Sequence, residues 1–366
     1  MKRPLPIVQA SPLPPLYAAW TDQLLAGPIP PEKEATCDDC AMCAAGNRQL
    51  ELSGLFFDPS TKCCTYIPAL ANFLVGSILA DADPAFFAGR ATVEARLAAG
   101  VAVTPLGLGQ PPTFKLLYEN TAINAFGRSR SLRCPHYLEP GGRCGVWKHR
   151  ASVCATWYCK HVRGATGRKF WQALHRLLSG VERTLARWCV LQLDPGTEAL
   201  ERLFPPRRPD AAGNDTLDDL QEPSVHRAVW GRWFSREVEF YKECDRLVSG
   251  LSWGDVTTIG GPQMQIFSRL AHEAYGELMS EELPTRLKVG DLKVVNMDQE
   301  SCRVCAYADS DPLEMSRALM DLLRYFDGRT VDQVLQSISA AESIKLDRAL
   351  VRKLVDFEIL VPLPTG

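Results

Sequence analysis

Cysteine thiolates are soft ligands, and at short spacing they bind zinc, copper(I) or iron–sulfur clusters. Nine of the thirteen cysteines fall in the first 160 residues, in two groups. The first is Cys37, Cys40 and Cys43, with two residues between each and the next, followed by the adjacent pair Cys63 and Cys64. The second is Cys134, Cys144, Cys154 and Cys159. A two-residue spacer lets consecutive thiolates converge on one centre. Three ligands this close favour ferredoxin-type iron–sulfur binding over zinc, whose knuckles usually come in pairs. Neighbours on a strand face opposite ways, so Cys63 and Cys64 share a centre only from a loop; otherwise they serve two neighbouring centres. The competing use of so many thiols is a disulfide framework, which needs an oxidising compartment. The chain begins with alternating prolines and short apolar steps, without a signal-peptide core and without any run of about 18 apolar residues. The expectation is a cytoplasmic protein with no membrane span, in which metal binding is the default use of the nine thiols.

Charge and the remaining chemistry-bearing residues sharpen this. The net charge is −2, yet residues 128–208 hold sixteen Lys and Arg against five Asp and Glu. A basic block fits nucleic acid, but aromatic residues are not interleaved as a base-stacking platform requires. Four candidate ligands lie inside the block, so the excess reads as compensation for an anionic thiolate cluster. His136, His149 and His161 sit in or just after the second group. Each is read as a hydrogen-bonded neighbour of the ligands before it is read as a ligand. Cys189 and Cys244 fall in helical patterns and Cys302 and Cys305 in a strand pattern, where a thiol is a small core residue. A nucleotide loop, a Ser/His/Asp arrangement and a His-Glu-x-x-His signature are all missing, which leaves a redox role ahead of hydrolase or transferase chemistry.

These residues must be positioned by a mostly helical chain. The expected fold class is α-rich α+β. A cysteine-rich metal-cluster domain over residues 1–165 is followed by a helical middle, 166–283, that packs on it, and by a C-terminal winged-helix-like module, 284–366. Residues 1–36 are proline-rich and extended apart from one short helix at 17–25. Helices are predicted over 68–79, with Leu70, Phe73, Leu74 and Ile78 on one face, and over 92–97, stopped by Gly100. Residues 101–109 read as strand-like. From Gly167 onward Phe170, Leu174, Leu177, Leu178, Val181, Leu185 and Trp188 repeat at helical spacing. Residues 205–219 are a linker candidate, and single helices follow at 224–251 and 262–282. In the last part, 286–289 and 292–297 read as a hairpin turning at Gly290 and Asp291, with a third strand candidate at 302–307. Helices at 312–326, 330–339 and 345–358 then lead to a closing strand at 359–361, with Thr330 as a helix cap.

Two family resemblances follow from quoted residues. Cys134-Pro135 with Leu138, Arg143-Cys144 with Val146-Trp147, Arg150, and Cys154 with Cys159 around Trp157-Tyr158 resemble the YkgJ-type cysteine-cluster family of zinc- or iron-chelating proteins. The double cysteine stands farther from the first triplet than in that family, and Ala151 replaces a usual proline. In the last 75 residues or so, Leu319, Leu323, Phe326, Asp327-Gly328, Thr330-Val331, Leu350, Leu354 and Ile359-Leu360 resemble PqqD-like peptide-recognition domains. Such domains grip a leader peptide by adding it as an extra strand, so the resemblance implies an open edge on the third strand, 302–307; here Phe357 to Ile359 replaces the usual glycine turn. The mixed charge of the last helix, with Lys345, Arg348, Arg352 and Lys353 beside Asp347, Asp356 and Glu358, suits duplex DNA poorly.

The resulting expectation is an iron–sulfur redox protein of the 4Fe–4S kind, an electron carrier or a cluster-based enzyme acting on a bound peptide. Its metal ligands are Cys37, Cys40, Cys43, Cys63, Cys64, Cys134, Cys144, Cys154 and Cys159, and a peptide or protein partner docks on the C-terminal module. The alternatives are a zinc-stabilised interaction or scaffold protein without catalysis, and a metal chaperone.

Overall fold

The computed structural model describes residues 11–33, 35–38, 40–43, 55–139, 141–205 and 223–363. The chain is helix-rich with small sheets, as an α-rich α+β composition requires. It forms two compact units. One is Met1–Pro31, Cys37–Trp157 and His175–Arg269; the other is Glu32–Thr36, Tyr158–Leu174 and Leu270–Gly366. The linker candidate beyond Pro205 lies outside the described residues.

The first unit starts with α1 (Pro15–Leu24), which has proline at its first turn and buries Tyr17 and Trp20. Next come β1 (Leu70–Ala71), α2 (Asn72–Ala80), α3 (Phe87–Ala99), β2 (Val103–Thr104) and β3 (Gly107–Leu108). Then follow α4 (Pro112–Ala125), β4 (Tyr137–Leu138), β5 (Arg143–Cys144) and α5 (Ser152–Thr156). The long α6 (Gly164–Leu193) is divided between the units; α7 (Thr197–Leu203), α8 (Pro223–Trp230) and α9 (Glu237–Ser249) lie in the first, and α10 (Trp253–Met279) is again divided, at Arg269. Strands β1, β3 and β2 pair in that order, and β4 pairs with β5. The predicted strand at 101–109 is thus two short strands around a turn.

α2 is apolar all round and sits at the centre of this unit. Its Gly76 lets α9 approach closely, because a Cβ there would lie 1.9 Å from the Tyr241 carbonyl oxygen. Buried Asn72 donates from its amide to the carbonyls of Pro105 and Ala186, 2.9 Å each, tying α2 to the strand turn and to α6. The single helix expected at 224–251 is two. A 3₁₀ turn at Gly231–Trp233 and Ser235, at φ 64°, separate α8 from α9. α10 in turn contains a break at Gly261, whose φ of 58° leads into Pro262.

The second unit contains β6 (Arg286–Val289), β7 (Lys293–Met297), β8 (Ser301–Cys305), β9 (Leu313–Ser316), α11 (Arg317–Leu322), β10 (Asp327–Thr330), α12 (Val331–Glu342), α13 (Arg348–Asp356) and β11 (Leu360–Pro362). The hairpin expected between β6 and β7 does not form. β6 pairs instead with β10 and β11, and the Gly290 N–H donates to Ile359 O at 2.9 Å. β7, β8 and β9 make a second sheet with β8 at its centre, so the open edges belong to β7 and β9 and not to the third strand. The helix expected at 312–326 begins as a strand. Leu313 and Met315 point into the core while Glu314 and Ser316 face out, a period of two, and Ser316 then caps α11 by accepting the Leu319 N–H. Thr330 and Gln333 form a complete capping box on α12. The core gathers Leu287, Cys302, Val304, Leu322, Val334, Ile338, Val351, Leu354 and Leu360.

Candidate functional site

The two cysteine groups meet through the backbone. Cys43 closes a turn on the Cys40 carbonyl (2.9 Å) and forms a parallel bridge with Phe57, whose N–H donates to Met42 O at 2.7 Å. Cys63 and Cys64 lie on a turn, as a shared centre would require, with the Cys64 N–H on Thr61 O (3.0 Å). The Cys134 N–H donates to Cys64 O at 2.8 Å, which joins the second group to the first. Thr61 and Thr65 fasten this turn to Gly127, the first donating to its carbonyl (2.8 Å) and the second accepting its N–H (2.7 Å). In the β4–β5 ribbon Cys144 stands opposite Tyr137, on the same face. Cys154 sits on α5 directly after.

Eight thiols of the first unit feel one another's charge. Cys64 is the hub, acting on Cys37, Cys63, Cys134, Cys144 and Cys154, while Cys40 couples to Cys37 and Cys43. Burial, and then Cys40, push the Cys43 thiol up to about 12. Burial, and then Cys64, do the same for Cys144. Burial raises Cys134 and Cys154 strongly and Cys37 as well. Cys63 donates its S–H to Cys64, which raises Cys63 and lowers Cys64. Cys154 is solvent-accessible, yet burial is the main influence on its thiol.

Donors and cations surround these sulfurs. The backbone N–H groups of His136 and Val146 point at the Cys134 and Cys144 sulfurs. Lys62 favours the thiolates of Cys37, Cys43 and Cys64, and its ammonium donates to the Cys37 carbonyl. Buried Arg150 favours those of Cys37, Cys144 and Cys154; it donates to Trp147 O (2.8 Å) and Pro12 O (2.7 Å) and stacks on Trp147 at 3.7 Å. Among the described residues, no group of three or more His, Cys, Asp or Glu side chains is drawn together as a ready metal site. The thiols share a neighbourhood, and its donor chemistry, all sulfur with N–H groups and cations around it, fits a thiolate-ligated centre.

The other sequence candidates separate from this group. Cys159 belongs to the second unit, where its carbonyl accepts the Ser310 hydroxyl at 3.3 Å. His136 is buried and hydrogen-bonds Thr92 on α3 at 2.7 Å, and burial, then Arg96, lower its pKa to about 3. His149 binds Asp81 at 2.8 Å, together with Lys148. His161, in the second unit, has its backbone N–H on buried Asp311 (2.9 Å) and is lowered to about 4 by burial and then Arg168. Cys189, Cys244, Cys302 and Cys305 are buried. Sequence reasoning missed Lys62 and Glu182. Only the adjacency of Lys62 to Cys63 signals the first; the second is a lone acid on an otherwise basic and apolar helix. Comparisons with protein-family models, with curated proteins and with solved structures give no match.

No helix among the described residues is long and apolar enough to cross a membrane.

Proposed function

We propose that this protein holds an iron–sulfur cluster on thiols drawn from Cys37, Cys40, Cys43, Cys63, Cys64, Cys134, Cys144 and Cys154, and works as a redox protein. The observation that carries this reading is the backbone bond from Cys134 N–H to Cys64 O, 2.8 Å, which brings the second cysteine group onto the turn that carries the Cys63–Cys64 pair, with Lys62 on that turn donating to the Cys37 carbonyl. Burial favours the protonated thiol at Cys37, Cys43, Cys134, Cys144 and Cys154, and a cationic centre would take the place of those protons and bind the thiolates. Such a cluster supplies one-electron chemistry. The chain's own residues would supply the backbone N–H donors of His136 and Val146 to its sulfurs and the positive charge of Arg150 near them. The resemblance to cysteine-cluster proteins points the same way. Anaerobically purified full-length protein is expected to be brown, with iron and acid-labile sulfide in comparable amounts. Colourless protein carrying stoichiometric zinc would replace this reading with the zinc-scaffold one.

For the winged-helix-like C-terminal module, the reading is peptide docking. β7 pairs on one side only, with β8, and exposes Val294, Val295 and Met297. An extended peptide can add there as a further strand, its backbone satisfying the free edge. Hydrogen exchange on the full chain with a candidate peptide is expected to protect residues 293–297. Protection elsewhere only, or none, removes the docking role from β7.

A further inference from the structure

β7 is an edge strand whose residues are all exposed, whereas β9 at the other edge of the sheet buries Leu313 and Met315. The ladder sets Val294 against Val304 and Met297 against Cys302, both buried. Directly opposed residues share a face, so these two apolar side chains lie on the core side of the sheet and overhang it, each 45% exposed. An edge of this kind is a template for any further strand.

A protein in solution meets its own copies, and β7 is complementary to itself. Laid antiparallel against a second β7 so that Lys293 meets Asp298, it sets Val294 against Met297 and Val295 against Asn296, and two-fold symmetry repeats each pair. The charged pair has opposite signs, and the apolar pair falls on the face that is already apolar. Lys293 holds Asp309 at 3.1 Å within its own copy, and its exposed ammonium has donors to spare for a second carboxylate. Beyond the strand ends the same register opposes Asp291 and Glu300, which confines the pairing to β7.

Two features of the edge work against that pairing. The register slips between Val294 and Asn296, leaving Val295 as the extra residue of a bulge that bends and twists the edge. The second feature is a hydrogen bond. The Asp298 N–H donates across to Ser301 O at 3.0 Å. Backbone groups alternate in direction along a strand, so the Met297 N–H points to the free edge. There it donates to Oδ1 of Asn296 at 2.8 Å. We propose that Asn296 closes the β7 edge to a second copy of this chain. An incoming strand has to displace that oxygen before its own carbonyl takes the N–H, and the two-fold pair repeats the displacement in both copies. This role is independent of the peptide reading, although a docked peptide needs the same N–H.

The test compares full-length wild type with Asn296→Ala by sedimentation equilibrium and hydrogen exchange, from micromolar to millimolar concentration. Wild type is expected to show no concentration-dependent protection of residues 293–297. In dilute Asn296→Ala the Met297 amide is expected to exchange several-fold faster than in wild type. On concentration the variant is expected to dimerise, with 293–297 protected. Adding Val294→Asp is expected to abolish that dimer, because it sets a carboxylate against Met297 of the second copy. The proposal is overturned by a wild type that already protects 293–297 on concentration, or by an Asn296→Ala variant that stays monomeric throughout. A dimer that protects other residues only, or that persists in the double variant, overturns it as well.

Discussion

Cys144 and Cys302 both lie in short antiparallel strands, and their surroundings differ in kind. Cys302 is in β8, five residues long and paired on both sides, and is 1% exposed among Val304, Leu313 and Met315. Cys144 is in β5, two residues long and paired on one side; it is half-buried, with the Val146 N–H on its sulfur and Cys64 and Cys37 within reach of its charge. A strand with two neighbours sends alternate residues into an apolar core, where a thiol is only a small hydrophobe. A strand of two residues between turns leaves its thiol to nearby amides and cations, which govern its chemistry. The same residue type is packing in one unit and candidate ligand in the other because of what pairs with its backbone.

The sharpest way to break this contrast is to exchange sulfur for oxygen in both places. Cys64→Ser is expected to remove nearly all iron and acid-labile sulfide, whereas Cys302→Ser is expected to leave them intact and lower only stability. Equal iron loss in both would erase the distinction. Arg150→Ala comes next. It removes a buried guanidinium, two hydrogen bonds and the stacking on Trp147, an expected loss of about 3 kcal/mol in the denaturant midpoint together with reduced iron. Arg150→Lys is expected to recover part of the iron and little of the stability.

The second unit has its own acid sensitivity. His161 is held neutral, so its contribution is complete above the unfolded value near 6.5 and is lost as the pH falls towards about 4. Full-length protein is expected to lose about 2 kcal/mol between pH 7 and pH 4.5 from this group. His161→Gln is expected to shrink that loss, and an unchanged pH profile in the variant would assign the acid sensitivity elsewhere. The smallest effect is expected from Thr330→Ala, which breaks the capping box of α12 and costs about 1 kcal/mol with iron unchanged. A fall in iron there would mean that the C-terminal module reaches the thiol group energetically.

Long periodic stretches were legible in the sequence. The repeat from Phe170 to Leu185 marks α6, and the Asp327 to Thr330 punctuation marks the start of α12. Short elements were not. Leu313 and Met315 give only two apolar positions, which fit a strand or a helix face equally, and β6 finds its partners at β10 and β11, beyond any local pattern. Cysteine spacing identified the candidate ligands, yet it is silent on distance across the fold. The Cys134 to Cys64 bond, the Lys62 bond to the Cys37 carbonyl and the partly buried acid Glu182 all depend on contacts between segments far apart in the chain.

That backbone bond from Cys134 to Cys64 bears on biogenesis. During synthesis the first five cysteines emerge while Cys134 is still to be made, so a ribosome-bound chain displays the first cysteine group without the second. The turn at Cys63 and Cys64 therefore gains its backbone partner only once Cys134 has been made, so a fragment that stops before the β4–β5 ribbon lacks the bond that joins the two cysteine groups.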